Sequence, residues 1–435
     1  MKKFVFPLLL SLCASTAHAK PYLDIQEIHT PKGLTAWFVQ DKTVPVLSLQ
    51  FSVDILNDGK GVGNLMSTLL DEGAGKRNSE EFQNEMDAHV ISIGFAADHD
   101  NFNGHLKTTM HDLDLATELF SDALNRPHFA PDAIARMKQA ILSNMRFQQM
   151  DPDYLAGRNL HETIFENDAY AYPVEGAPET VKSITAEELK KYRGEVLGCS
   201  ADFHIAVVGD AAPEKVAAML DKIFGDARQC TKDAEPVKLN GLAHRGEDIR
   251  VNWAGAQSSI LMAQRGIARQ DKDWWAARIL DFALGAGQFS SRLMEEVRVK
   301  RGLTYGVSSG ISTYDRAPLW IIQAGVDPSK ADEAVSLIKK TWQEVAENGL
   351  TADEITEARN YLIGSLPLAL TSTDRIASIL LQLQEDELPK NMLDTRASEI
   401  NAVTPEDIKR VAANYLNAKE LTTIIVGPSI PKDKK

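Results

Sequence analysis

Thr185-Ala-Glu-Glu-Leu-Lys-Lys-Tyr192, with Phe203-His-Ile-Ala-Val-Val-Gly209 after it, has a counterpart near the end of the chain: Thr404-Pro-Glu-Asp-Ile-Lys-Arg-Val411, then Leu421-Thr-Thr-Ile-Ile-Val-Gly427. Each copy has a threonine suited to cap a helix, an acidic first turn, an amphipathic helix, and an apolar strand closed by glycine. Upstream of each lies another matching helix start, Ala130-Pro-Asp-Ala-Ile-Ala-Arg136 and Thr351-Ala-Asp-Glu-Ile-Thr-Glu-Ala-Arg359. Thr185 and Thr404 stand 219 positions apart, and Asp132 and Asp353 stand 221 apart. Self-similarity at this length is a duplicated domain, because solenoid repeats run to about 20 to 50 residues.

Working outward, the first copy reads as strands near Thr35 to Gln40 and Val46 to Asp54, helices, strands from Val90 to Ala97 and Asn101 to Thr108, more helices, and the strand ending at Gly209. The second copy places strands near Ile249 to Trp253, Ser258 to Gln264, Thr304 to Ser312 and Leu319 to Val326. Long helices grouped between hairpin-like strand pairs predict an α+β fold: two homologous halves, each a mostly antiparallel sheet with helices on one face. The halves are expected at residues 20–231 and 248–435, joined by a polar linker at 232–247 that lacks clear periodicity.

Met1-Lys2-Lys3 is a basic start, Phe4 to Ala14 is apolar, and Ala17-His18-Ala19 fits a small-x-small cleavage site, so residues 1–19 read as a signal peptide. The mature chain is then expected to be exported, and periplasmic in a cell with two membranes. No later stretch has the roughly 20 apolar residues that span a bilayer. Removing Lys2 and Lys3 takes the net charge from −14 to −16, which argues against nucleic acid or an anionic membrane as partner. Of the three cysteines, Cys199 and Cys230 survive processing, and export permits them to pair as a disulfide.

The segment Leu284-Gly-Ala-Gly-Gln-Phe-Ser-Ser-Arg-Leu-Met-Glu-Glu-Val-Arg-Val-Lys-Arg-Gly-Leu-Thr-Tyr-Gly-Val307 reads as a glycine turn, a short helix and a stop. Ser290 or Ser291 is suited to cap the helix, Arg298, Lys300 and Arg301 sit in its last turn, and Gly302 supplies the positive φ beyond it. Arg298 then leaves the helix end and Tyr305 the strand start at one edge of the fold. Two uses are open to the pair: helix capping with strand packing, or convergence on one ligand. The segment resembles that of pitrilysin/insulinase-type (inverzincin) zinc peptidases and their processing-peptidase-like branch. There, Ser-Arg-Leu precedes Glu-x-Arg-x-Lys-Arg-Gly-Leu-x-Tyr, and the arginine and tyrosine reach across a chamber to the peptide at the zinc. The resemblance implies that role for Arg298 and Tyr305, and a clamshell arrangement of the two halves.

The same resemblance calls for Gly-x-x-His-x-x-Glu-His on the first long helix, where two histidines hold zinc and the glutamate is general base. Here Gly61-Val-Gly-Asn-Leu-Met-Ser-Thr-Leu-Leu-Asp-Glu-Gly73 puts Asn64, Ser67 and Thr68 at those positions. The third ligand of the family, a glutamate, falls at Asn144 in Gln139-Ala-Ile-Leu-Ser-Asn-Met-Arg146. All four are replaced by small polar residues, which predicts no zinc in this chain. His99, His105 and His111 recur every six residues, but His99 and His105 fall on or near strands and His111 begins a helix, so no tetrahedral ligand set is implied. Asp98-His99-Asp100 resembles a catalytic triad in composition only, and the chain has no Gly-x-Ser-x-Gly.

Two functions are consistent with this pattern. The first is a non-zinc subunit that pairs, as a heterodimer, with a zinc-bearing homologue and donates Arg298 and Tyr305 to a peptide in the partner's active site. The second is a non-catalytic peptide-binding or assembly scaffold, similar to the core proteins of respiratory complexes. A scaffold has no need of the Arg298 and Tyr305 pair, so the first is the leading expectation.

Overall fold

In the strand Val46–Asp54, Leu47, Leu49, Phe51 and Val53 are buried on one face, and Ser48 and Ser52 on the other are buried as well. A strand with one solvated face would leave the serines in water, so this sheet is covered on both sides. The structure is a computed structural model that describes residues 21–57, 59–199, 203–225, 227 and 241–429. The expected signal peptide and Cys230 lie outside the described residues.

The first sheet contains β1 (Gln26–His29), β2 (Thr35–Gln40), β3 (Val46–Asp54), β4 (Ser92–Ala97), β5 (Asn101–Thr109) and β6 (Phe203–Gly209), in the order β1-β2-β6-β3-β5-β4. The second contains β7 (Asp248–Asn252), β8 (Ser258–Arg265), β9 (Thr304–Ser312), β10 (Leu319–Val326) and β11 (Thr422–Gly427), in the order β7-β11-β8-β10-β9. Apart from β1, the second order is the first written again. Even the single parallel pairing recurs, β2 with β6 and β7 with β11, all other neighbours being antiparallel. The threonine caps also form: Thr185 with Glu188, Thr351 with Glu354 and Thr404 with Asp407 each make a reciprocal capping box. Strand β1 escaped the sequence reading because its four residues, Gln26–His29, are too few to show a period.

One face of each sheet packs on helices of its own repeat, as around Phe51, whose ring meets Phe102, Phe120 and Phe224. The other face is covered by a helix from the opposite repeat, which the one-face expectation did not include. Helix Pro152–Phe165 lies on β8 and β11, with Ala156, Leu160 and Ile164 against Ala263, Ile424 and Val426. Helix Thr373–Glu385 lies on β3 and β6, with Ile376, Ala377, Leu380 and Leu381 against Val39, Ala206 and Val208. Their first residues stand 221 positions apart, so these are equivalent helices that have exchanged sheets. The central strands β6 and β11 are apolar on both faces, and bare apolar surface costs about 25 cal/mol per Å².

The described part of the expected linker, residues 241–247, is tied to the folded chain. Residues 232–240 lie outside the described residues, but Ala243 N donates to Ile164 O at 2.9 Å and Thr423 N to Glu247 O at 2.8 Å. Among the described residues no helix is long and apolar enough to cross a membrane.

Candidate functional site

The helix Val62–Ser67 carries the positions where the resembled family holds zinc. It starts at Gly61, whose φ of +81° and approach to Glu175 O, 2.3 Å from where a Cβ would stand, exclude any other residue. Ser67 Oγ donates to Asn64 O at 2.7 Å and Thr68 Oγ1 to Leu65 O at 2.9 Å, so both hydroxyls are turned back onto their own helix. Asn144 is exposed on helix Pro131–Gln148, which packs against Val62–Ser67. Asn64 and Ser67 thus stand on one helix, Thr68 at its C-cap, and Asn144 on the helix packed against it. Amide and hydroxyl groups there fit neither a zinc ion nor a general base. Among the described residues no group of three or more His, Cys, Asp or Glu is gathered to hold a metal.

Arg298 and Tyr305 lie on the other repeat. Gly285 lies so close to Ser309 that an added Cβ would stand 2.4 Å from Ser309 N, which explains one glycine of the turn. Beneath it, buried Asp281 accepts from Ser309 Oγ at 2.6 Å and Trp320 Nε1 at 2.9 Å, and burial pushes its carboxyl up. Ser291 is the capping serine, its Oγ 3.5 Å from Met294 N. The helix that follows is wound with i to i+5 bonds over Met294–Val299, Lys300 N donating to Glu295 O at 2.9 Å. Gly302, at φ +59°, closes it by donating to Arg298 O at 2.8 Å, and Leu303 N donates to Val297 O at 3.0 Å.

This closure sets Arg298 and Tyr305 on either side of one turn. Thr304 pairs with Val326 and Gly306 with Gly325, so the ladder skips Tyr305. A bulge on an edge strand re-aims its side chain. Tyr305 is accordingly 82% exposed. The Arg298 guanidinium lies 4.7 Å over the ring of Phe289, itself 67% exposed. Among the described residues Arg298 makes no ion pair, Lys300 having taken Glu296 at 2.6 Å. Among the described residues, a cation without an ion pair and an exposed phenol therefore stand at one edge. Among the described residues no hydrogen bond or ion pair joins them to the helix Val62–Ser67.

Between the repeats lies a cavity of about 730 Å³ that sequence reasoning missed. Its walls include the β4–β5 turn with Asp98, His99 and Asp100, the β9–β10 turn with Tyr314 and Asp315, and Glu385 and Asp386 at the end of the exchanged helix. Asp315 is pushed up to about 7 by desolvation and by the negative charges of Asp100, Asp54, Glu385 and Asp386. Burial pushes Asp100, Glu385 and Asp386 up as well. Asp98-His99-Asp100 was the available signal, since its offset from Tyr314-Asp315-Arg316 is close to the repeat distance. Of the three spaced histidines, His99 stacks on His161 at 5.5 Å, and burial lowers His105 on β5.

Residues 56–178 match the family profile described as Insulinase (Peptidase family M16), and residues 183–362 match that of the Peptidase M16 inactive domain. The chain belongs to peptidase family M16. Among M16 relatives it is 28% identical over 391 residues to an uncharacterized zinc protease of Streptomyces coelicolor, covering 86% of this chain and 82% of that one. It is 23% identical over 448 residues to the non-peptidase homolog YmxG of Helicobacter pylori, covering 100% of both. The fold matches a peptidase M16 inactive domain from Pseudomonas fluorescens with TM-score 0.87 and 24% identity, over 94% of this chain and 98% of that chain. It also matches a protease from Helicobacter pylori with TM-score 0.83 and 18% identity, over 93% and 100%.

Proposed function

We propose that this M16 chain is the non-zinc subunit of a heteromeric peptidase, pairing with a homologous zinc-bearing subunit and presenting Arg298 and Tyr305 to the peptide held there. The observation that carries the reading is the bulge at Tyr305: the phenol is thrown clear of the sheet beside an arginine that makes no ion pair among the described residues, while the zinc positions are filled by amide and hydroxyl groups. As an amide carbonyl becomes tetrahedral its oxygen gains negative charge. The guanidinium N–H and phenolic O–H are the donors that stabilise such an oxygen, by a few kcal/mol each at most. The chain works in this reading as an exported, periplasmic protein, with Cys199 joined to Cys230.

The test is to purify the chain alone and with a homologue that carries an intact His-x-x-Glu-His, and to measure zinc content and peptide hydrolysis for each. Alone, the chain is expected to hold no stoichiometric zinc and to cleave nothing; together, the pair cleaves. A chain that holds one tight zinc, or a pair no faster than the homologue by itself, overturns the proposal. The likeness to a relative named a non-peptidase homolog over its whole length favours the second reading, a scaffold that holds a peptide without cleavage. A stable complex with no gain in hydrolysis would select it.

A further inference from the structure

We propose that a small aromatic-walled cavity, formed by helix Pro152–Phe165 and the β4–β5 and β9–β10 turns, is a binding pocket for one aromatic side chain of a peptide. It deepens the reading above, resting on the chain's being a peptide-holding subunit. The cavity measures about 240 Å³ and opens beside the larger one, with His99 and Tyr314 lining both. A peptide lying in the larger cavity has this pocket beside its path.

Four rings form one part of the wall. His99 and His161 are stacked at 5.5 Å, and Tyr314 stands edge-on to both, at 5.9 and 5.7 Å. Tyr154 joins them from the first turn of the helix, and Gly157, Arg158, Pro173, Val174 and Glu175 line the rest. The polar edges of these rings are already used within the protein. Tyr154 donates to Glu175 Oε1 at 2.8 Å, His161 Nδ1 meets Tyr170 O at 2.9 Å, the Tyr314 hydroxyl meets His161 Nε2 at 3.5 Å, and His99 Nε2 meets Tyr172 O at 3.2 Å. With those edges engaged, the aromatic part of the wall offers π surface and C–H, which suits an apolar ring in offset or edge-on packing.

Charge selects in the same direction. Burial lowers His161 to about 4, so its ring is neutral at pH 7. Arg158 and Glu175 both line the cavity and offset one another in charge: the guanidinium is held by Ala171 O at 3.1 Å and by Glu162, and the carboxylate accepts from Tyr154, so the site gains nothing from a charged guest. Gly157 is an independent sign that the space is kept open. It sits inside the helix, where glycine costs roughly 1 kcal/mol against alanine, yet a Cβ there would meet nothing within 4 Å. The fold does not need this glycine, but an unfilled pocket does. Because His99 and Tyr314 come from different repeats, an occupant also holds the two turns together.

The probe is N-acetyl-L-phenylalanine amide, titrated against the purified mature chain by ligand-observed NMR and calorimetry. It should bind at least tenfold more tightly than the alanine or lysine amide. Gly157→Leu and Gly157→Met, which fill the space on a helix they favour, should keep the wild-type melting temperature or raise it and weaken binding at least tenfold. Equal binding of the alanine amide, stronger binding of the lysine amide, or undiminished binding by both folded variants overturns the pocket. The two proposals fail separately. Ring binding with no cleavage beside a zinc-bearing homologue removes the catalytic reading alone, and cleavage with no ring binding removes the pocket alone.

Discussion

Arg316 donates to both oxygens of Asp168, at 3.2 and 2.6 Å, and so ties the β9–β10 turn to the segment that follows helix Pro152–Phe165. Both side chains are nearly out of water, 11% and 12% exposed. Removing one partner of such a pair leaves the other charge poorly solvated. Arg316→Ala should therefore lower stability by roughly 2 to 4 kcal/mol, read as a fall in the urea midpoint. A loss below about 0.5 kcal/mol would place the pair with ordinary surface ion pairs.

The exchanged helices predict that neither repeat folds alone. Residues 21–231 without helix Thr373–Glu385 leave Val39, Ala206 and Val208 bare, and residues 241–429 without helix Pro152–Phe165 leave Ile424 and Val426 bare. Each fragment should bind a hydrophobic dye and aggregate, and co-expression should restore a soluble complex. Leu380→Ala in the intact chain should cost about 2 to 5 kcal/mol, because Leu380 is fully buried in that contact.

Asp315 gives a pH dependence with a definite sign. Its folded value of about 7 lies above the ordinary 3.8, so the native state binds the extra proton. The stability this gives is complete below pH 4 and is lost as pH rises to about 7. His161, lowered from 6.5 to about 4, works oppositely, its contribution being lost as pH falls through that window. Asp315→Asn isolates the first effect: the variant should gain on wild type steadily from pH 4 to 7 and stay ahead above it. Parallel stability curves across that range would refute the assignment.

Tyr305→Phe should leave the chain folded, because the hydroxyl it removes belongs to an 82% exposed side chain. In a complex with a zinc-bearing homologue the loss should fall on kcat more than KM, since the phenol meets the oxygen most strongly when it is charged. Arg298→Ala should affect both, a guanidinium also holding the neutral carbonyl. Wild-type turnover in the double variant would return the pair to structural roles.

Cys199 and Cys230 are expected to be joined, closing a loop of about 30 residues worth roughly 3.5 kcal/mol in the chain-entropy picture. The mature protein, unfolded without reductant, should show no free thiol, and Cys230→Ser should lower the melting temperature. Two titratable thiols would rule the bridge out.

Much of this molecule was legible in one dimension. Ten strands, the threonine capping boxes and the turn at Gly302 depend on neighbours within a few residues, so local period and residue type record them directly, and the 219- to 221-residue repeat shows as the same local pattern written twice. So did the loss of the zinc residues, since Asn64, Ser67, Thr68 and Asn144 are identities that no folding can change. The exchange of helices was not legible, because an apolar stripe such as Ala156, Leu160 and Ile164 states that it must be buried without stating against which sheet. The bulge at Tyr305 depends on a register with β10, and the cavity carboxylates and aromatic pocket depend on two turns more than 200 residues apart meeting in space. Sequence set the repeated elements and the chemistry this chain has given up. Tertiary packing alone decided which repeat covers which sheet and which side chains share a cavity, because burial energy rewards any complementary apolar face, and only the folded chain selects one.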